Sequence, residues 1–144
     1  MDITLTTTLT ATTLETSATR VRWIQDGEKE ILFVDLSNVL PDESLAALAE
    51  CEQILKGRAE GSVLVLIDVT NAVYNPSISA RWKAARISLA PIIRGSAVYG
   101  FSGMVGVALR GFADGLRLLG LNRIGEEFRF FKSRTEALAW LKQF

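Results

Sequence analysis

Apolar positions along the chain change period several times, and each change marks an element. Val21-Arg22-Trp23-Ile24-Gln25 and Ile31-Leu32-Phe33-Val34-Asp35-Leu36 flank the turn former Asp26-Gly27, which predicts a hairpin whose second strand is the more buried. Pro41-Asp42-Glu43-Ser44 opens a helix in which Leu45, Leu48, Cys51 and Leu55 share one face, with an acidic outer side and a stop at Gly57. Val63-Leu64-Val65-Leu66-Ile67, bounded by Gly61 and Asp68, is continuously aliphatic, as a central parallel strand covered on both faces must be. Asn75-Pro76 supplies a cap and a first-turn proline, after which Ile78, Trp82, Ala85 and Leu89 recur at helical spacing until Pro91, placing Lys83 and Arg86 outward. Ala97-Val98-Tyr99 and Phe128-Arg129-Phe130 read as further strands. Between them, Met104, Val105, Ala108, Leu109, Phe112, Leu116 and Leu119 form the broad apolar face of a third helix. Ser133-Arg134-Thr135-Glu136 is a capping box before Ala137-Leu138-Ala139-Trp140-Leu141. Strands alternating with helices predict an α/β fold, a mixed and mostly parallel sheet with about four helices, in one domain over 21–144. Residues 1–20, with nine threonines, read as an arm or edge strand.

Composition narrows the function classes. Apolar residues at 49% and charged residues at 22% specify a packed core, and the lone Cys51 excludes an internal disulfide, so a reducing, cytoplasmic setting is expected. The amino-terminal residues lack the basic and apolar pattern of a secretory leader, and Arg110, Asp114 and Arg117 interrupt the best candidate for a membrane span. The zero net charge conceals an asymmetry: residues 1–70 carry twelve acids and five bases, residues 71–144 four acids and eleven bases. No acid lies between Val69 and Ala113, whereas Arg81, Lys83, Arg86, Arg94 and Arg110 do, so this interval either attracts an anionic partner or neutralises a neighbouring acidic helix. A nucleic-acid partner is not expected, because the chain lacks a strongly basic balance and its aromatics do not alternate with the arginines.

Catalytic chemistry has few residues to draw on. Without histidine there is no Ser-His-Asp or Cys-His arrangement and no imidazole for a metal, and no cofactor is expected. Cys51, on the apolar face of an acidic helix, reads as an inert core thiol. Two strand ends echo each other, Asp35-Leu36-Ser37-Asn38 and Asp68-Val69-Thr70-Asn71, so the two aspartates either share a cation or acid-base work at one sheet edge, or bond the backbone of the following turns. Seven of the eleven glycines fall between Gly95 and Gly120. Gly100-Phe101-Ser102-Gly103-Met104-Val105-Gly106 follows a strand and opens a helix, so Gly100, Ser102, Gly103 and Gly106 form a candidate anion site, or else allow close helix-on-sheet packing. The spacing differs from the dinucleotide fingerprint, and no acid stands about twenty residues on.

In order, Ile31 to Leu36, Leu66-Ile67-Asp68-Val69-Thr70, Ala97-Val98-Tyr99-Gly100-Phe101-Ser102-Gly103 and Ala137-Leu138-Ala139-Trp140-Leu141 resemble the SpoIIAA-like branch of the STAS superfamily over about Glu30 to Phe144. That branch is also similar to CRAL-TRIO lipid-binding domains. The resemblance implies a small non-catalytic module for protein contact, ligand sensing or membrane association. In anti-anti-sigma members a phosphorylatable serine directly follows an aspartate at a strand end; here Val69 stands in that place, leaving Thr70 and then Ser77 as the nearest modification candidates.

Three readings follow. The first is a module binding a protein partner or a lipophilic, anionic-headed ligand through Gly100, Ser102, Gly103, Gly106, Asp68, Thr70, Arg81 and Arg86, compatible with peripheral membrane association and with a homodimer. The second is a partner-switching regulator. The third is a carboxylate or metal-dependent enzyme using Asp35 and Asp68.

Overall fold

The computed structural model describes residues 20–73, 75–100 and 128–144. The hairpin expected around Asp26-Gly27 forms, with β1 (Val21–Asp26) antiparallel to β2 (Lys29–Asp35) and Asp26 opposite Lys29. Helix α1 (Pro41–Leu55) follows, then β3 (Val63–Asp68), α2 (Pro76–Leu89), β4 (Ile93–Tyr99), β5 (Phe128–Phe131) and α3 (Arg134–Leu141). The five strands form one sheet in chain order, and every pairing after the hairpin is parallel. The α/β expectation holds, with three helices among the described residues; the helix expected over 104–119 lies outside them.

Local chemistry accounts for the boundaries. Asn75 Oδ1 accepts the Ile78 amide at 2.8 Å and Pro76 takes the first helical position, so α2 starts where the sequence places it. Ser133 Oγ accepts the Glu136 amide at 3.3 Å at the start of α3. At α1 the N-cap residue is Leu40, whose side chain has no acceptor, so the cap bond runs one way: Glu43 Oε1 accepts the Leu40 amide at 3.0 Å.

Because β3 lies between two parallel neighbours, it needs apolar residues on both faces, and its aliphatic run supplies them. Val63 and Val65 join Leu32, Val34, Val98 and Phe128 beneath α1 and α2. Leu64 and Leu66 join Ile31, Phe33, Ala97 and Tyr99 beneath α3, with Trp140 and Leu141. Gly95 belongs to that second layer, where a Cβ would come within 2.9 Å of the Phe144 ring. Close packing against a side chain accounts for this glycine.

Two expectations about helix faces are corrected. Leu45 is 40% exposed, and Ser44 takes the inward position, fully buried, where its Oγ accepts the Trp82 indole N–H at 2.8 Å. The partly buried indole donor needs an acceptor, and the hydroxyl of Ser44, one residue before Leu45 in α1, provides it. Arg86, expected outward, is only 7% exposed. Its guanidinium lies 5.3 Å from the centroid of the Phe128 ring, so a flat cation stacked on an aromatic face replaces solvent.

Candidate functional site

The carboxyl ends of β2, β3 and β4 bring Asp35, Asp68 and Tyr99 into one row, since Asp35 pairs in register with Asp68 and Asp68 with Tyr99. The expectation that the two aspartates share a sheet edge therefore holds, and each serves its own turn. Asp35 Oδ1 accepts from the Ser37 amide at 3.0 Å and from Ser37 Oγ at 2.5 Å. Asp68 Oδ1 accepts from the Thr70 amide at 2.9 Å and from Thr70 Oγ1 at 2.6 Å. Asn38 and Asn71, one residue later, both take the left-handed conformation at φ 55° and 54°. The turns are the same device used twice, and they are joined by the Asn38 amide donating to the Thr70 carbonyl at 2.7 Å.

Gly100 closes over the second turn. At φ 90° it holds a conformation that side chains disfavour, and a Cβ there would overlap Thr70 Oγ1 and stand 3.0 Å from both Asp68 Oδ1 and the Thr70 amide. Of the predicted site residues, Asp68, Thr70 and Gly100 are thus brought together. The edge also contains two residues that sequence reasoning did not assign to it. Tyr99 donates its hydroxyl hydrogen to Asp68 Oδ2 at 3.3 Å, and Arg134 Nη1 donates to the Tyr99 oxygen at 3.5 Å. Burial raises the Tyr99 hydroxyl above its ordinary pKa, against the pull of the Arg134 bond. Among the described residues, no group of three or more carboxylate, thiol or imidazole side chains is arranged to hold a metal ion.

The other predicted residues separate. Arg81 Nη2 lies 2.7 Å from Glu52 Oε1, so the basic α2 neutralises the acidic α1 at that point. Ser77 is exposed in the first turn of α2. Ser102, Gly103 and Gly106 lie outside the described residues.

Arg86 belongs to a second candidate region, a cavity of about 90 Å³ between the sheet and helices α1 and α2. Its described wall is aliphatic and aromatic, including Leu48, Val65, Trp82 and Phe128, with Ser79, Ser96 and Arg86 as polar members. Cys51 also lines it. Burial, reinforced by Glu50 and Glu52, pushes this thiol up to about 12, so it is held neutral. In the unfolded chain it ionises near its ordinary value of 9.0, so stability should decline as pH rises between about 9 and about 12. Urea midpoints across that range should fall less steeply for Cys51→Ala than for the wild type. Part of the slope should persist, because Tyr99 is shifted in the same direction.

No family model matches the chain, and no curated protein matches it. Among solved structures, it is similar to an uncharacterized protein of the DUF3478 family from Shewanella loihica PV-4, described as having a SpoIIAA-like fold. The TM-score is 0.59 at 17% identity, covering 84% of this chain and 91% of that one. The chain therefore has the SpoIIAA-like fold that its sequence resembles. No helix among the described residues is long and apolar enough to cross a membrane.

Proposed function

We propose that this SpoIIAA-like chain is a non-catalytic module that takes a small apolar or amphiphilic group into the cavity between the sheet and helices α1 and α2. The observation that carries this reading is the cavity's lining, apolar apart from Ser79, Ser96 and the buried Arg86. Pockets of that composition, with few polar groups to fix orientation, suit lipophilic molecules. Volume limits the guest. A dry engineered cavity of about 150 Å³ accepts benzene, so about 90 Å³ accommodates a small group or the end of a chain. A whole long-chain lipid requires α1 and α2 to part. Arg86 gives the wall a cationic point toward which a carboxylate end is drawn.

The test is thermal stability with octanoate and with octanol. Both should raise the melting temperature of the wild type, octanoate more strongly. Ala85→Leu, which fills the space, should abolish both shifts, and Arg86→Met should remove the preference for the acid. No shift with either compound, or equal shifts in Ala85→Leu, would overturn the reading.

A second reading, a regulator that docks another protein, draws on Leu40 and Val73. These side chains are 57% and 49% exposed on the segments after β2 and β3, which are tied by the Val73 amide donating to the Val39 carbonyl. Thr70 lies on the same edge, with Ser77 the nearer to solvent for modification. Native mass spectrometry of the complex isolated from cells separates the two readings: one predicts a small adduct, the other a protein-sized one.

A further inference from the structure

We propose that helix α2 is the lid of the cavity, latched to α1 by the hydrogen bond between Trp82 and Ser44. The inference rests on the reading of that cavity as a binding site and adds the route by which a guest enters. Since the cavity lies between the sheet and two helices, one helix must give way to admit anything larger than its closed volume. Burial decides which. Helix α1 is anchored by Ala47, Leu48, Cys51 and Leu55, all apolar and all buried. Helix α2 buries one large aliphatic side chain, Ile78, beside Ala85 and Arg86, while Trp82 and Leu89 are only partly covered. Elements with few buried apolar side chains open at the lowest free energy, so α2 is the part that moves.

The latch spans the seam between the helices. Trp82 lines the cavity from α2, and its indole N–H donates to Ser44 Oγ on α1 at 2.8 Å. Ser44 is fully buried, so the closed state pairs the indole with this hydroxyl, whereas the lifted state hydrates it. Without the hydroxyl, closing would leave the donor unpaired, and the balance would shift toward the open form. A second tie joins the same helices, Arg81 Nη2 lying 2.7 Å from Glu52 Oε1. Its side chains are 46% and 33% exposed, so water screens the pair and its hold is weaker.

Cys51 makes the opening measurable without any guest. It is the one cysteine of the chain and stands buried on the α1 wall of the cavity. With α2 closed, the thiol is covered and held neutral. With α2 lifted, it meets water and ionises near its ordinary value, so a thiol reagent counts openings. Urea separates local from global events. Lifting one helix exposes far less surface than unfolding the chain, and the rate of labelling through the lid therefore depends little on denaturant.

Methylthiolation of Cys51 in the full chain by methyl methanethiosulfonate, followed by intact mass spectrometry, tests this. The wild-type rate should be nearly independent of urea well below the unfolding midpoint. Ser44→Ala should raise it roughly tenfold. Trp82→Phe, which keeps a ring but lacks the donor, should raise it similarly, and the double variant should gain little over either. Arg81→Gln should raise it about twofold. Trp140→Phe, which loosens the opposite side of the sheet, should leave it unchanged. Far-UV circular dichroism checks that each variant is folded. Labelling that is steep in urea and faster in Trp140→Phe overturns the lid, as does a wild-type rate in both Ser44→Ala and Trp82→Phe. The cavity reading fails separately: octanoate and octanol can stabilise a protein whose α2 stays closed, and a lid that lifts in a protein neither compound stabilises overturns the binding role alone.

Discussion

Gly100→Ala should destabilise the protein by about 3 kcal/mol, far more than one methyl group ordinarily does. Two costs combine. Holding alanine in the left-handed region costs about 1 kcal/mol, and the added Cβ would overlap Thr70 Oγ1 while crowding Asp68 Oδ1. The turn must then move, which threatens two hydrogen bonds onto Asp68, each contributing about 1 kcal/mol. Gly57 separates the two costs. It lies at φ 82°, but no atom stands within 4 Å of its would-be Cβ, so Gly57→Ala should show only the backbone cost. Urea unfolding of both variants makes the comparison. Equal losses would show that close approach at Gly100 contributes nothing.

Trp140→Ala should cost about 3–5 kcal/mol, the range for deleting a buried aromatic side chain. The indole packs edge-on to Phe144 at 4.9 Å and tilted against Phe131 at 5.6 Å, so its loss opens a cavity between α3 and the sheet. Eight residues are too few to remain helical without tertiary support. The damage should therefore concentrate there: hydrogen exchange should accelerate first over residues 134–144, including the Lys142 amide bonded to the Leu138 carbonyl, while β3 keeps its protection. Uniform loss of protection would show that α3 does not open separately.

Much of this architecture was legible because it is locally encoded. The Asp26-Gly27 turn, the aliphatic run of β3, the Asn75-Pro76 start and the Ser133 cap each act within a few residues, and their order implied the parallel sheet. The repeated Asp-x-Ser/Thr-Asn endings also placed Asp35 and Asp68 together. What escaped depends on distant partners. Arg86 reads as solvent-facing because charge is normally hydrated; its burial is set by Phe128, 42 positions later, on a strand the helix meets only after folding. Ser44 and Leu45 exchanged places for a similar reason, the indole donor coming from Trp82. Arg94 and Arg129 gave no hint of their rings, Phe144 and Trp140, since an arginine on a strand looks the same whether or not an aromatic residue supports it.

The order of the sheet bears on how the protein is made. A chain emerging from the ribosome lays each strand beside one already synthesised, so no strand must wait for a later neighbour. The two sides do not close together, however. Helices α1 and α2 are synthesised between the strands they cover, whereas, among the described residues, the helix that covers the layer holding Ile31, Leu64 and Leu66 is the last element to be made. During synthesis, that late-covered side is where a chaperone would find its apolar target.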